Sequence, residues 1–439
     1  MYSLHGLEHD DSGDGCRIYS GKCRIHKLLY IRDGVLSRYR SGYHVGQGRS
    51  GIRKEINQRD MKRFFLMLMP VIMMSCAPKA QQTPVQEGSR LGYSLNFFRH
   101  HLGQTAKDAN ISISPYSAAV ALSMLEEGAA GETKVELDNA LNGCTFGNKD
   151  LVADDSVTVR SANSVWIDDD FAVRNTYVNH LAKDFDALAV TLNFADPATV
   201  KAINNWCSEN TEGMIDQIIK ELTPDMVMVL VNALYFNADW DSPFKSEFTS
   251  ENLFHGSKGD AKVPFMAQKS TFNYVAYEGN QLVQLPYKGG RYSMYVLLPS
   301  PSMGVDAVAD YLTEDGVREV ISMMKPQKID LRLPKFKMEY EASLVKTLQS
   351  MGVRSVFTSA ADLTGIAHGP LAVSDVLQKT VVDVDEAGTE AAAVTAIMVK
   401  LTAARVDPVP VMNVNRPFYF MLADVDAGNV LFIGRVMNL

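Results

Sequence analysis

The sequence predicts an α+β fold in one large domain running from about Ser89 to Leu439. Three observations carry that prediction. Apolar residues at helical spacing come first along the chain, while continuous apolar runs come later. The two kinds do not alternate as a regular βαβ repeat would require. No linker, internal repeat or low-complexity break interrupts the stretch. With 46% hydrophobic and 21% charged residues, the 439-residue chain carries the apolar material a folded core needs.

The elements follow in order. LGYSLNFFRHHL places Leu91, Leu95, Phe98 and Leu102 on one helical face. In SPYSAAVALSMLEEGAAG, Ser114 suits an N-cap, Pro115 the first helical position and Gly128 the stop. GETKVELDNAL reads as another helix, as do Tyr177 to Phe185 and Val200 to Ile219. MVMVLVNALYF (226–236) is continuously apolar, which predicts a strand buried on both faces. YSMYVLLP, IDLRLPKF, FYFMLADV and NVLFIGRV read as further strands. Asp426, Ala427 and Gly428 form a turn between the last two.

Ahead of the domain, MKRFFLMLMPVIMMSC begins at Met61. Lys62 and Arg63 form a basic start, and Phe64 to Met74 an apolar core too short to span a bilayer. Residues 61–75 thus read as a secretory signal. Cys76, just after a small residue, resembles the lipidated cysteine of a bacterial lipoprotein. Residues 76–88 read as a flexible tether. The expected location is outside the cytoplasm, as a cell-envelope lipoprotein, periplasmic or at the cell surface, with membrane contact only through the anchor. A signal acts only at an N-terminus, so residues 1–60 read as a mis-called leader. That leader holds Gly46, Gly48 and Gly51 in dinucleotide-fingerprint spacing, but no strand pattern precedes it and no βαβ unit follows.

Enzyme signatures are missing. Ser114 and Ser117 lack a G-x-S-x-G elbow, and there is no H-E-x-x-H and no P-loop. His100, His101, His180, His255 and His368 have no ligand spacing. Cys16, Cys23, Cys76, Cys144 and Cys207 form neither a disulfide framework nor a zinc pattern. We therefore expect no metal, no cofactor and no catalysis. A net charge of -8 argues against nucleic acid as a partner.

One segment resists a single assignment. In DEAGTEAAAVTAIMVK (385–400), alanine and glutamate favour a helix. Yet Thr389, Ala391, Ala393, Thr395, Ile397, Val399 and Leu401, taken two apart, are all small or apolar. Glu390 and Lys400 both fall in the other set. That is a strand pattern with one core face and one solvent face.

These phrases together resemble the serpin family. NISISPYSAAVALSMLEEGAAGETKVEL, ANSVWIDD, INNWCSENTEGMI, LVNALYFNADWDSPF, LPYKGGRYSMYVLLP, LPKFKMEY, DEAGTEAAAVTA and NRPFYFMLADVDAGNVLFIGRVMN fall in serpin order from about Leu91 to Leu439. The resemblance implies three β-sheets with about nine helices and an exposed reactive-centre loop. It also implies a monomeric suicide substrate of serine proteases, and sometimes of cysteine proteases. The protease cuts the loop and is held as an acyl-enzyme while the loop inserts into the central sheet. A non-inhibitory binding or carrier serpin is the alternative.

By the same resemblance, Glu386, Gly388, Thr389, Glu390, Ala391, Ala392 and Ala393 form the hinge that enters the sheet first. Small side chains suit entry between packed strands, and Gly388 supplies a flexible hinge. Roughly a dozen new backbone hydrogen bonds, each worth about 0.5–1.5 kcal/mol net, would favour insertion by on the order of 10 kcal/mol. The family's cleaved bond usually follows the residue sixteen positions after the hinge glutamate, which is Thr402, with Ala403 next. That bond suits an elastase-like or subtilisin-like protease. Lys400–Leu401 and Arg405–Val406 are trypsin-like alternatives. Ser114, Ser117, Asn232 and Trp240 match the region where the central sheet parts. Gln378 stands where the family often has histidine. The stretch matching the heparin-binding helix of some members, CTFGNKDLVADDS, is short and not basic, so no heparin activation is expected.

Overall fold

The computed structural model describes residues 88–147, 150–153, 157–389 and 409–439. Helix α1 (Arg90–Leu102) is followed by strand β1 (Ile111–Ile113), α2 (Pro115–Glu126) and α3 (Gly131–Ala140). Ser114 N-caps α2, its Oγ accepting the Ser117 N–H at 3.1 Å, with Pro115 in the first turn. Gly128 is not a left-handed stop: α2 ends at Glu126. Gly128 is glycine because a Cβ there would overlap Ile366 Cγ1.

Strand β2 (Val157–Asp168), α4 (Asn175–Asp184), β3 (Leu188–Leu192), α5 (Pro197–Asn210) and β4 (Met228–Asp239) come next. Helix α5 is shorter than its apolar spacing predicts. It stops at Asn210 because Glu212 and Gly213 both take left-handed backbone, φ 55° and 81°. The rest of the apolar spacing, Ile215, Ile218 and Ile219, packs from non-helical chain beside Trp166 and Ile203. Asn204 Oδ1 fixes that chain by accepting the N–H groups of Ile218 and Ile219 at 2.8 and 3.0 Å.

The remaining strands are β5 (Ser250–Gly256), β6 (Gly259–Tyr277), β7 (Asn280–Pro286), β8 (Tyr292–Leu298), β9 (Lys325–Pro334), β10 (Phe336–Ser343), β11 (Asp375–Val384), β12 (Gly388–Thr389), β13 (Val411–Asn413), β14 (Phe418–Asp424) and β15 (Asn429–Val436). Helices α6 (Gly304–Ala309), α7 (Glu314–Met323) and α8 (Val345–Ser350) lie between them, making eight α-helices among the described residues.

The fold is α+β, as the sequence predicts. A six-stranded sheet runs β10-β11-β12-β4-β2-β3. A second hydrogen-bonded network runs β1-β15-β14-β8-β7-β6-β9-β13, with β5 also on β6. It contains two of the three sheets, joined through one long strand. Strand β6 pairs with β5 over Gly259 to Phe265 and with β9 over Phe265 to Tyr274, while its end, Asn273 to Tyr277, pairs with β7. Helix α2 packs between the sheets, against β4, β2, β11 and β15, and every residue but Glu126 is buried. Strand β4 is buried along Met228 to Phe236, the stretch its apolar run marks.

Candidate functional site

The centre of the six-stranded sheet contains a seam. Strands β11 and β4 pair directly and in parallel from Asp375↔Val229 to Thr380↔Leu234. Beyond Thr380 they part, and β12 lies between them: Thr389 pairs with Val384 on one side and Ala238 on the other. Gly388–Thr389 is therefore the start of a new strand in a slot whose far end is closed.

The closed end is a row of buried amides. Asn163, Asn232 and Gln378 stand side by side in register on β2, β4 and β11. Asn232 Nδ2 donates to Asn163 Oδ1. Gln378 makes a reciprocal pair with the N-cap of α2 beneath the sheet. Its Oε1 accepts the Ser114 N–H at 2.8 Å, and its Nε2 donates to the Ser114 carbonyl at 2.9 Å. Thr380 Oγ1 donates to the Ser112 carbonyl at 2.7 Å. Asn232 Oδ1 and Ser117 Oγ are buried without a hydrogen-bond partner among the described residues. These polar groups can form new pairs when strands separate, which an apolar seam could not do.

The open end is latched by the segment that would insert. Glu386 Oε2 accepts Lys335 Nζ at 2.6 Å, and its Oε1 accepts Thr249 Oγ1 at 2.7 Å. Burial alone would raise the Glu386 pKa. The Lys335 and Thr249 hydrogen bonds outweigh it and hold the carboxyl below its ordinary value. Asp385 Oδ1 accepts the N–H groups of Ala387 and Gly388 at 2.9 and 3.2 Å. Trp240 donates its indole N–H to the Asp385 carbonyl at 3.0 Å and its backbone N–H to Ala387 O at 2.8 Å. Its ring stacks on Tyr287, centroids 4.5 Å apart at 16°. The Tyr287 hydroxyl meets Thr389 Oγ1 at 2.7 Å, with Thr389 only 3% exposed.

Gly388 has a steric role in the docked hinge. Its φ is not left-handed, but a Cβ there would overlap the Ala238 carbonyl oxygen. The glycine permits close approach of the entering chain to β4.

The residues expected where the sheet parts, Ser114, Ser117, Asn232, Trp240 and Gln378, are all buried at the seam. They divide into two groups. Trp240 belongs with the hinge, and the other four with the closed end. Full burial leaves Ser114 and Ser117 unsuited as nucleophiles. Asn163, Lys335, Thr249, Tyr287 and Asp385 went unassigned by sequence reasoning; the first four join the hinge or the seam only through tertiary contacts, while Asp385 caps the hinge locally. Glu390, Ala391, Ala392, Ala393, the bonds Thr402–Ala403, Lys400–Leu401 and Arg405–Val406, and Cys76 lie outside the described residues. Asp168, Asp169 and Asp170 bring three carboxylates together among the described residues, and Asp168 accepts the N–H groups of Asp170 and Phe194.

A family model described as "Serpin (serine protease inhibitor)" matches residues 91–439. Iripin-2 of Ixodes ricinus is 34% identical over 380 residues, covering 81% of this chain and 95% of that protein. The protein Z-dependent protease inhibitor of Mus musculus is 31% identical over 383 residues, covering 82% and 83%. Among solved structures, the thermophilic serpin tengpin in its native state superposes with a TM-score of 0.74 at 29% identity, covering 85% of this chain and 98% of that one.

Proposed function

This chain belongs to the serpin family, and from that premise we propose that it is a suicide-substrate inhibitor of serine proteases rather than an enzyme. The observation that carries the reading is the docked hinge. Gly388 and Thr389 pair with β4 and β11 at the mouth of a slot closed below by direct β4–β11 pairing. A loop cut beyond residue 390 would extend that strand by displacing the closed pairing. The alternation of small and apolar residues after Thr389 provides a core face for it. Each added residue contributes backbone hydrogen bonds on both sides, so cleavage releases a fold trapped above its inserted form. Dragging the acyl-linked protease across the sheet would distort its active site before water completes hydrolysis.

The bond favoured for cleavage is Thr402–Ala403, which directs the inhibitor to elastase-like or subtilisin-like proteases. Lys400–Leu401 and Arg405–Val406 would direct it to trypsin-like ones. The basic start, short apolar core and Cys76 support export as a bacterial-type lipoprotein, with action outside the cytoplasm as a monomer.

The test is to mix the full chain with an elastase-like, a subtilisin-like and a trypsin-like protease. Complexes are resolved on denaturing gels, and the released C-terminal peptide is weighed. A denaturant-stable covalent complex is expected, and the peptide mass identifies the bond. Cleavage with no complex for any protease would make the chain a substrate. No cleavage at all would return it to the carrier class.

A further inference from the structure

The C-terminal end of α2 meets α4 in a cluster that neither the hinge nor the seam uses. Tyr177, only 3% exposed, donates its hydroxyl to the Met124 carbonyl at 3.0 Å and fixes α4 against that end. Positions 177, 180, 181 and 184 share one face of a helix. Tyr177 and Leu181 are the buried residues of α4, so His180 and Asp184 are carried to the edge of the same contact. There two carboxylates converge on one imidazole nitrogen. Asp184 Oδ2 lies 3.0 Å from His180 Nε2, and Glu127 Oε2 lies 3.5 Å from it. Sequence spacing does not mark the group, because Glu127 comes from another helix.

One N–H cannot serve two carboxylates well, and the surroundings do not relieve the crowding. Glu127 is the C-cap of α2, at the negative end of the helix dipole. Glu126 beside it is already paired with Lys134 at 2.7 Å, and burial pushes its pKa up even so. Lys183, exposed to solvent, reaches only the other oxygen of Asp184, at 3.6 Å. Burial first, and the Glu127 charge second, raise the Tyr177 hydroxyl pKa, so Glu127 sits within electrostatic reach of α4.

The spacing suits a metal ion. Zinc binds imidazole nitrogen and carboxylate oxygen at about 2.0–2.2 Å, which sets tetrahedral ligand atoms about 3.3–3.6 Å apart. The two distances to Nε2 are within or just short of that spacing. The carboxylates stand wider apart from each other, and Glu127, with 39% of its side chain exposed, closes that side by a swing. We propose that His180, Asp184 and Glu127 form a site for a divalent transition metal of the zinc type, completed by water. The ion takes the place of the Nε2 proton. A neutral ring keeps its one proton on Nδ1, and a charged ring releases one to solvent. One imidazole with two carboxylates favours zinc over calcium and magnesium, which take oxygen ligands. Helix α2 is twelve residues long, about 18 Å, so the site lies a helix length from Ser114 and does not depend on protease trapping.

Zinc titration of the full chain at neutral pH tests it. The chain carries other histidines and cysteines, so calorimetry is read as a difference between variants, with thermal unfolding of each checked without metal. His180→Ala, Asp184→Asn and Glu127→Gln should each weaken one zinc site by about tenfold or more. His255→Ala, which removes the exposed His255–Asp260 pair, should leave that site unchanged. Hydrogen exchange supplies a local readout. Zinc should slow exchange at Glu127 and Gly128, whose N–H groups close the end of α2, in the unmodified chain but not in His180→Ala, and calcium should not. The proposal is overturned if zinc binds His180→Ala as tightly as the unmodified chain. It is equally overturned if zinc gives no protection at Glu127 and Gly128, or if that protection survives in His180→Ala.

Discussion

The two ends of the β4–β11 seam are built from opposite materials. The closed end is made by the scaffold alone: Gln378, Asn232 and Asn163 on three strands, tied to Ser114 at the head of α2. Every one of these groups is buried. The open end is made by the segment that would insert, with Glu386, Asp385 and Thr389 held by Lys335, Trp240 and Tyr287. Its ion pair is partly exposed, the Lys335 side chain at 35% and Glu386 at 13%. On the proposed mechanism, the difference separates two properties that an inhibitor must set independently. The closed end would set how firmly the native sheet resists opening. The open end would set whether the entering chain is already in place when the loop is cut.

The largest expected effect breaks the open end only. Thr389→Arg puts a cation into a slot where the native side chain is 3% exposed and faces the Tyr287 hydroxyl. Burying an unpaired charge is far costlier than the hydrogen bonds an entering strand gains per residue. The fraction of protease trapped, read as the ratio of covalent complex to cleaved chain, should fall by about tenfold or more, while the native cost is limited to undocking the two-residue β12, which lets the arginine reach solvent. Gln378→Leu breaks the other end. It leaves the Ser114 N–H buried without a partner, its carbonyl keeping only the Ala118 N–H, and should lower stability by about 1–3 kcal/mol in urea unfolding. If Thr389→Arg destabilised the native fold as much as Gln378→Leu, the division of labour would be wrong.

Legibility in the sequence followed the same division. Strand β4 could be read from its apolar run because both of its faces are buried, so no partner had to be known. The start of α2 was legible because capping is local: Ser114, Pro115 and Ser117 settle it among themselves. Helix α5 was over-read because Ile215, Ile218 and Ile219 keep helical spacing after the chain has left the helix. Glu212 is an uncommon left-handed residue that propensity does not mark. At the site, the hinge and Trp240 were recognisable from their motifs. The hinge's partners were not, since Lys335, Tyr287 and Thr249 lie 51, 102 and 137 residues from the groups they hold. Only the folded sheet brings them together.

The smallest expected effect sharpens the comparison through pH. The Lys335 and Thr249 hydrogen bonds leave the Glu386 pKa below its unfolded value despite burial. A carboxyl with a depressed folded pKa contributes stability that is complete above its unfolded pKa, about 4.3, and is lost as pH falls through the folded value. The hinge latch should therefore loosen on acidification below about pH 4.3, while the amide row, which has no titrating group, should not respond in that window. The pair is partly solvated and screened, so its loss should cost no more than about 1 kcal/mol. Global unfolding is a poor measure of so local a change. Hydrogen exchange at Phe244 and Trp240, whose N–H groups donate to the Glu386 and Ala387 carbonyls, reports the docking of that segment. Lys335→Met should speed exchange there at neutral pH, and Glu386→Gln should remove the latch's own acid sensitivity. Equal acceleration at Gln378 and Thr380 would mean that the two ends open as one unit, and that the slot has no separate latch.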